Sequence, residues 1–425
     1  MKTLIPFYTL ALFFTLAHSP ANAQGFNYTG YVKSYALGQD GIEVDYSGIN
    51  SSGTDGDSFS TDSSFQSQNS LRLMGSYLSE DSGYFEIHYE AQPLYFSNNI
   101  NDTSPDKNSA SGIGSTLNTG SNRFRYKDLD PVLSEHGDHV VVLQNLDRFN
   151  YQLATENGDL TIGRQVISFG SARFINPTDI FLPFVLQTLN QEYRVGIDAI
   201  RYQVDLDGFT ILDSGLIIGE DGKKENSAAF FRGKTSLEGN DLEAMYIQLD
   251  NAWLAGGGIE RALGDFGFWL ETAYMNNNAD DINSYWRHSV GSDFALDDNI
   301  IVMMEYHYNG AGSQDASDYI DILQLQPYER GGVYLLGQNY LIPAISWVTS
   351  PLVSISASSF FNLDDQSAFI SLTAEVSWSD NLYSDFGSQM SLGDNPSINS
   401  SGELDLSSEF GSYPLSLYAS LRYYF

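Results

Sequence analysis

The carboxyl-terminal stretch LYASLRYYF (Leu417–Phe425) alternates strictly between apolar and more polar side chains. Counting back from Phe425, every second residue is apolar, and Ser420 and Arg422 lie among the residues between them. A period of two is the pattern of a β-strand with one apolar and one polar face. The pattern recurs along the chain, so the fold must place many strands between two different environments.

Tight turns and longer connections alternate between the candidate strands, of which we count eighteen. The tight turns are rich in Gly, Asn, Asp and Pro, as expected for β-hairpins. They are Ser79–Gly83, Glu156–Asp159, Asp205–Gly208, Glu238–Asp241, Leu263–Asp265, Leu296–Asn299, Thr349–Pro351 and Ser379–Asn381. The longer connections are Asp40–Gln68, Phe96–Leu146, Gly170–Arg194, Gly219–Glu225, Asn276–Ile282, Gly310–Gln338 and Gly393–Ser412, with short exceptions near Asp250 and at Leu363–Gln366. Sorting by length in this way is typical of outer-membrane barrels, whose turns are periplasmic and whose long loops are extracellular.

The composition fits a barrel of this kind. The chain has 27 Tyr, 26 Phe and 38 Gly, yet its mean hydropathy is only −0.23. In a membrane barrel half of each strand faces lipid and half faces water, so the average conceals the apolar face. We therefore predict an all-β fold, a transmembrane antiparallel β-barrel of about eighteen strands, with sixteen as the alternative count.

The amino terminus predicts export. Residues 1–23 contain Lys2, an apolar run over Leu4–Leu16 and the small residues Ala21 and Ala23, which is the pattern of a cleaved signal peptide. The barrel would then occupy residues 24–425 as a single domain. The absence of Cys excludes disulfides and thiol chemistry, and a net charge of −34 argues against nucleic-acid binding. The predicted location is the cell outer membrane.

One long connection differs from the others. The segment 170–194 is too irregular for a strand but contains many apolar residues, so it needs a surface to pack on. We predict that it folds into the barrel and narrows the pore, with Arg173, Asn176, Asp179 and Arg194 at the constriction. The alternative is an extracellular lid packed on neighbouring loops. Just before it, a β-bulge at Gly163 would turn Arg164 inward, because an arginine facing lipid is costly.

The stretch around this segment resembles a known family. The motif is G-R-Q (Gly163–Gln165), then F-G and N-P-x-D ending at Asp179, and the likeness extends through EYRVGIDAIRYQVDL (Glu192–Leu206). With SDNLYSDFG (Ser379–Gly387) before the last strand, the sequence is similar to the alginate-export-type family of outer-membrane porins. The resemblance implies a monomeric barrel of about eighteen strands that passes anionic polysaccharide or other small anionic or sugar solutes.

Strand alternation assigns charged residues of both signs to the inner face, so the interior must be wet. The predicted pore-lining residues are Arg72, Glu86, Arg148, Arg164, Arg201, Arg232, Lys234, Glu271, Arg287 and Glu305. Fixed guanidinium groups among them would lower the barrier to anions. The alternative is that these basic residues only neutralise neighbouring carboxylates.

The sequence predicts a passive channel for small polar solutes, with anionic or carbohydrate solutes favoured. Leu421, Tyr423 and Phe425 resemble the carboxyl-terminal signal that the barrel-assembly machinery reads. Outer-membrane lipid and lipopolysaccharide would surround the barrel. No catalytic motif, metal site or cofactor is predicted. An outer-membrane hydrolase, and an adhesive or structural barrel with ligand-binding outer loops, are the alternatives.

Overall fold

The structure is a computed structural model. It describes residues 25–45, 58–60, 62–79, 83–98, 123–181, 186, 189, 192–277, 283–329 and 332–425. The predicted signal peptide lies outside the described residues. None of the helices in this part of the chain is long and apolar enough to cross a membrane.

Eighteen strands form one closed antiparallel barrel. They are β1 (Phe26–Gln39), β2 (Ser64–Leu78), β3 (Gly83–Phe96), β4 (Val140–Thr155), β5 (Gly158–Gln165), β6 (Ile197–Asp205), β7 (Thr210–Ile217), β8 (Ala228–Leu237), β9 (Asn240–Gln248), β10 (Ala252–Leu263), β11 (Phe266–Asn277), β12 (Tyr285–Asp297), β13 (Ile300–Asn309), β14 (Asn339–Ser350), β15 (Val353–Asn362), β16 (Ala368–Ser379), β17 (Leu382–Leu392) and β18 (Ser416–Tyr424). Each strand pairs with the next, and β18 pairs with β1. The predicted barrel and its eighteen strands are confirmed, and the alternative count of sixteen is wrong.

Short turns lie at one end of the barrel and long connections at the other, and we call these the turn end and the loop end. Gly208, Gly239 and Gly264 lie in three of the short turns with φ between 65° and 80°. Because this left-handed backbone is readily adopted only by glycine among common residues, these positions help to define the hairpins. Both described chain ends, Gly25 and Phe425, also lie at the turn end.

Alternate side chains of each strand meet different surroundings. In β18 the outward Leu417 is 60% exposed, whereas its neighbour Ser416, which faces inward, is fully buried. In β2, Leu73 is 50% exposed and Arg72 is 1% exposed. The barrel therefore has an apolar outer face and a polar, filled inner face, as period-two alternation requires.

The wall is irregular where β5 ends early, at Gln165. Beyond this point the strand Val132–His136 pairs with the free edge of β4, and the residues before it complete the wall. The Arg125 side chain donates to the Gly196 carbonyl at 2.8 Å, and the backbone N–H of Tyr126 donates to Asp198 at 2.9 Å. Residues 123–136, which directly precede β4, thus take the place of β5 at the loop end.

The loop end carries the remaining elements. Short strands form a small separate sheet, and short helices lie in three connections. The strands are Glu43–Asp45, Ser58–Ser60, Ser397–Ile398 and Leu404–Asp405. The helices are the 3-10 turns Glu220–Gly222, Lys224–Asn226, Ala316–Asp318 and Phe410–Ser412 and the single α-helical turns Tyr319–Ile322 and Gln326–Glu329.

Candidate functional site

The interior of the barrel holds residues 166–181, which we call the inserted segment. Ile167, Phe169, Ile180 and Phe181 are buried and belong to one apolar cluster with inward residues of β6 to β11. Ile175 belongs to a second cluster with inward residues of β14 to β16. The inserted segment thus leaves the end of β5 and packs along the inner wall on the far side of the barrel.

A carboxylate on β11 holds the backbone of the inserted segment. Glu271 accepts hydrogen bonds from the backbone N–H groups of Ser171, Ala172 and Thr178 at 2.8 to 3.0 Å. It also accepts one from the Thr178 hydroxyl at 2.7 Å. Backbone groups that no strand pairs with are thereby satisfied inside the barrel, as buried polar groups must be.

A second carboxylate, on β13, also accepts hydrogen bonds from the backbone of the inserted segment. Glu305 accepts from the backbone N–H groups of Arg173 and Ile175, each at 3.0 Å. The Trp269 indole donates to the same carboxylate at 2.7 Å. Glu271 and Glu305 are 1% and 0% exposed, so these two predicted pore-lining acids are anchors for the inserted segment and do not contact open solvent.

Two glycines of β10 give the inserted segment room. A Cβ atom at Gly256 would lie 2.6 Å from Thr178 Cγ2, and one at Gly258 would lie 2.8 Å from Ser171 Oγ. Both distances are too short for side chains to coexist. Glycines on an inner strand face therefore allow the backbone to approach the wall closely.

The chain returns to β6 through residues 192–196, which we call the return limb. Glu192 forms an ion pair with Lys33 of β1 and accepts from the Tyr424 hydroxyl at 2.6 Å. Burial disfavours the charged form of Glu192, but these two donors outweigh it and lower the pKa of its carboxyl. Arg72 of β2 lies over the Tyr193 ring, 4.3 Å from its centroid.

The inserted segment and the return limb contact opposite walls of the barrel. β1 and β2 lie across the ring of strands from β11 and β13, where Glu271 and Glu305 anchor the inserted segment. An ion pair between Arg194 and Asp179 joins the return limb to the inserted segment. The described parts of 170–194 therefore cross the interior of the barrel.

Most predicted basic residues on the inner face lie in ion pairs. Arg72 contacts Glu90 at 3.1 Å and also pairs with Asp147, which in turn contacts Arg148 at 2.8 Å. Asp147 and Arg148 form a β-bulge in β4, because the register with β3 shifts by one residue there. Together these four residues make a buried charge cluster on the β2–β4 wall.

A second charge cluster lies toward the turn end of β6 to β9. The Arg201 guanidinium donates to both oxygens of Asp213, at 2.9 and 2.7 Å, and Arg232 donates to Asp213 at 2.8 Å. Lys234 faces Glu243 in register on the next strand. On β3, Glu86 lies 3.0 Å from His88 and accepts from Asn150 at 2.9 Å.

Arg287 differs from these pairs. It is 4% exposed, and its guanidinium lies 3.3 Å from the Pro177 carbonyl and 3.4 Å from the Gly332 carbonyl. Among the described residues no carboxylate lies within ion-pair distance of it. It therefore binds backbone of the inserted segment instead of a wall carboxylate.

Arg164 is placed differently from the prediction. The pairing of β5 with both neighbours runs through Gly163 without a register shift, so the predicted bulge there is wrong. Arg164 shares the outer side with Ile162, and its guanidinium donates to Asp128 and Asp198 at 2.8 to 3.0 Å. It binds the segment that completes the wall beyond the end of β5. Its side chain therefore does not face the lumen, contrary to the prediction.

The remaining predicted residues fall in two places. Arg173 is partly exposed, contacts Glu260 at 2.9 Å and lies 5.2 Å from the Trp269 ring centroid, while the Asn176 carbonyl accepts from the Asp179 N–H at 3.2 Å. At the carboxyl end, Leu421, Tyr423 and Phe425 share the outer face. The backbone of Phe425 forms two hydrogen bonds with Gly30 of β1, which close the barrel.

Several interior acids that complete these pairs are absent from the sequence-based set, notably Asp147, Asp213 and Asp385. Asp213 and Asp385 fall on inward positions by alternation alone, so period-two counting could have found them. Asp147 could not be placed in this way, because the bulge at Asp147 and Arg148 reverses the parity within β4.

Loop residues cover part of the loop end. The Glu409 carboxylate accepts from the Tyr340 hydroxyl at 2.5 Å, the Asn362 amide at 2.8 Å and the Leu336 N–H at 3.0 Å. Burial, reinforced by the negative charge of Asp365, raises the pKa of Glu409 to about 7 despite these donors.

Solved structures share this architecture. The crystal structure of Acinetobacter baumannii OccAB4 matches with a TM-score of 0.53 at 7% identity, over 96% of this chain and 100% of that chain. Pseudomonas aeruginosa OccD3 (OpdP) matches with a TM-score of 0.54 at 8% identity, over 95% of this chain and 92% of that chain. Both are Gram-negative outer-membrane porins, and at this identity the likeness shows the fold. No protein-family model and no curated protein matches the sequence.

Proposed function

We propose that the protein is a passive outer-membrane channel for small polar solutes. The observation that carries the proposal is a closed barrel whose wall is apolar outside and charged inside. Such a wall suits a lipid exterior and a wet interior. The porin-like structures support an outer-membrane channel in the same way.

An aromatic row on the outer face supports the membrane placement. Tyr246, Trp253, Tyr274 and Trp286 contact one another in sequence across β9 to β12, with centroids 4.9 to 5.9 Å apart. All lie near the loop ends of their strands. Amphipathic rings at one height are typical of a membrane interface. In our proposal the turn end is periplasmic, the loop end extracellular, and lipid and lipopolysaccharide surround the outer face.

The segment 170–194 would narrow the pore. Its support is the contact of the inserted segment and the return limb with opposite walls. A crossing segment leaves solutes only the space beside it, so the channel would admit small molecules. The segment's apolar clusters and carboxylate anchors would keep it in place at rest.

Solute preference follows from the charges. The sequence favours anionic or carbohydrate solutes and a relation to alginate-export-type porins. The pairing of Arg72, Arg148, Arg201 and Arg232 with carboxylates favours the carbohydrate side of that expectation, because each of these positive charges faces a carboxylate, although Arg201 and Arg232 share Asp213. No cofactor takes part in passive diffusion, and the barrel-assembly machinery would recognise Leu421, Tyr423 and Phe425.

A hydrolase receives no support from the Ser–His contact inside the barrel. Ser289 Oγ lies 2.8 Å from His307 Nδ1, but it also lies 2.6 Å from the Ile175 carbonyl. The two side chains are 0% and 1% exposed. A buried hydroxyl committed to a backbone carbonyl cannot reach a substrate.

Single-channel recording of the refolded protein in planar bilayers tests the proposal. We expect steady conductance, and reversal potentials in a salt gradient that indicate weak ion selectivity. Heat-dependent migration on gels would show that the barrel is folded in the same samples. Folded barrels without conductance would contradict the channel and favour an adhesive or structural barrel.

A further inference from the structure

We infer that the inner face of β16–β18 around Tyr418 is a binding site for a neutral carbohydrate unit. The inference rests on the proposed channel function and deepens it by naming the solute class. The site lies on the wall that the inserted segment does not cover, since Tyr418 belongs to neither apolar cluster that includes that segment.

The Tyr418 ring lies across the neighbouring strands. A Cβ atom at Gly387 of β17 would collide with the ring, so the glycine is what lets the ring rest on the wall. Beyond Gly387, the Tyr418 hydroxyl lies 2.6 Å from the Thr373 hydroxyl of β16. Tyr418 remains partly exposed, which leaves aromatic surface open to the interior. An aromatic ring fixed on a wall is a suitable platform for the apolar face of a pyranose.

Polar groups flank this platform in register. Gly387 pairs with Tyr418 and Gln389 pairs with Ser416, so Gln389 lies one inward position nearer the loop end, about 7 Å along the strand. Gln389 is 4% exposed, and its Oε1 has no hydrogen-bond partner among the described residues. A buried amide oxygen without a donor indicates a place for a ligand hydroxyl or a water.

Toward the turn end lies a charged group of three. Arg422 of β18 contacts Glu375 of β16 at 2.5 Å and Asp385 of β17 at 2.7 Å. Its Nε also lacks a hydrogen-bond partner in the described part of the chain. Carboxylate acceptors and guanidinium donors beside a ring are the groups that bind sugar hydroxyls.

The charges select against anions. Arg422 faces two carboxylates, so this part of the wall is negative overall. An anionic sugar would meet repulsion from Glu375 and Asp385, whereas a neutral sugar would not. The site therefore fits an uncharged carbohydrate better than a uronate.

The aromatic surface continues beyond Tyr418. Arg422 lies 5.8 Å from the Tyr383 ring centroid, and the Tyr383 and Tyr424 rings are 5.8 Å apart. Tyr424 extends the row on β18 to the turn end of the strand. Rings along one wall allow a sugar unit to move between neighbouring contacts, so the site fits an oligosaccharide as well as a single unit.

Calorimetric titration of the refolded, full mature protein with maltotriose tests the inference without requiring conductance. Polyethylene glycol of similar size controls for exclusion by volume, and a trisaccharide of uronic acids tests the charge argument. We expect maltotriose to bind, the uronate to bind more weakly and polyethylene glycol not to bind. In bilayers, maltotriose should interrupt the current transiently.

Variants locate the site. Tyr418→Ala should weaken maltotriose binding about tenfold, because it removes the platform. Tyr418→Phe should retain most of the affinity, and Gly387→Ala should weaken it by displacing the ring. Tyr246→Ala, on the outer face, is the matched control and should leave the maltotriose affinity unchanged.

The outcomes separate the two proposals. Unchanged affinity in folded Tyr418→Ala and Gly387→Ala, or conductance without any maltotriose binding, would overturn the carbohydrate site and leave the channel. Binding that depends on Tyr418 in barrels without conductance would overturn the channel alone. If Tyr418→Ala does not fold, Gly387→Ala still decides the matter, because unchanged affinity in that folded variant would overturn the site.

Discussion

The two sides of the barrel interior use carboxylates in different ways. On the β10–β13 side, Glu271 and Glu305 bind backbone N–H groups of the inserted segment. On the β16–β18 and β1–β4 side, Glu90, Asp147 and Asp385 bind guanidinium groups of the wall itself. On the first side the carboxylates mainly hold a second layer of chain, and on the other they mainly neutralise the wall. The return limb on that other side is held chiefly by wall cations such as Lys33 and Arg72, although Asp147 also accepts from the Gly196 N–H at 2.6 Å. The same residue type at the same inward position has two roles, and only its partner decides which.

Removing both backbone anchors should have the largest effect. In Glu271→Ala/Glu305→Ala, at least five backbone N–H groups lose their acceptor, at ~1.5–3 kcal/mol for each hydrogen bond to a charged group. We expect the inserted segment to leave the wall and the open-channel conductance to rise. Glu86→Ala, which removes a carboxylate bound only to side chains, is the control. An unchanged conductance in the double variant would show that the segment is held by its apolar contacts alone.

Glu409 extends the comparison to the loop end, beside the second apolar cluster. Its pKa of about 7 in the folded protein lies above the usual 4.5, so folding favours the protonated form. The contribution of Glu409 to stability should therefore be greatest below pH 4.5 and be lost as the pH rises through 7, by up to ~3 kcal/mol. Thermal unfolding in detergent at pH 4 to 9 measures this. Glu409→Gln should remove most of the slope, and an equal slope in that variant would assign it to other groups.

Adding a methyl group at a β10 glycine should have a smaller effect on stability, and only where the strand lies against the inserted segment. Gly256→Ala places a methyl group 2.6 Å from Thr178 Cγ2, and overpacking of this kind costs ~1–3 kcal/mol. We expect a lower unfolding temperature and noisier single-channel current. At Gly233 the nearest atom to an added Cβ is 3.7 Å away, so Gly233→Ala is the matched control. Equal behaviour of the two variants would argue against close contact between segment and wall.

The smallest expected effect is on ion selectivity, and it concerns Arg201 and Arg164, both of which the sequence predicts to line the pore. Arg201→Ala leaves Asp213 with one fewer cation inside the barrel, so the ratio of anion to cation permeability should fall modestly. Arg164→Ala should leave this ratio unchanged, because Arg164 closes the wall from the outer side. Reversal potentials in a salt gradient measure both. A comparable shift of the reversal potential in Arg164→Ala would show that the Arg164 side chain faces the lumen.

Sequence reasoning succeeded where the signal is local. The alternation in Leu417–Phe425 and polar turns such as Glu238–Asp241 favoured eighteen strands over sixteen, because side-chain direction and turn geometry depend on a few adjacent residues. It failed at Gly163, where the predicted bulge is absent, and at Asp147, where a bulge is present. A bulge is a mismatch with the partner strand, so one strand's sequence does not reveal it. Sequence reasoning also could not show that Glu271 and Glu305 are anchors, since their partners lie about a hundred residues away.

By itself the sequence determined an antiparallel barrel with one apolar and one charged face, of about eighteen strands with sixteen as the alternative. The physical reason is that period-two alternation and tight hairpins leave a chain of this length few other ways to bury its apolar face and satisfy its backbone. Only the tertiary structure decided how the interior is used. Whether an inward carboxylate binds a guanidinium, a backbone N–H or open solvent depends on which distant segment lies across from it, and that is set by barrel closure and by the path of the inserted segment.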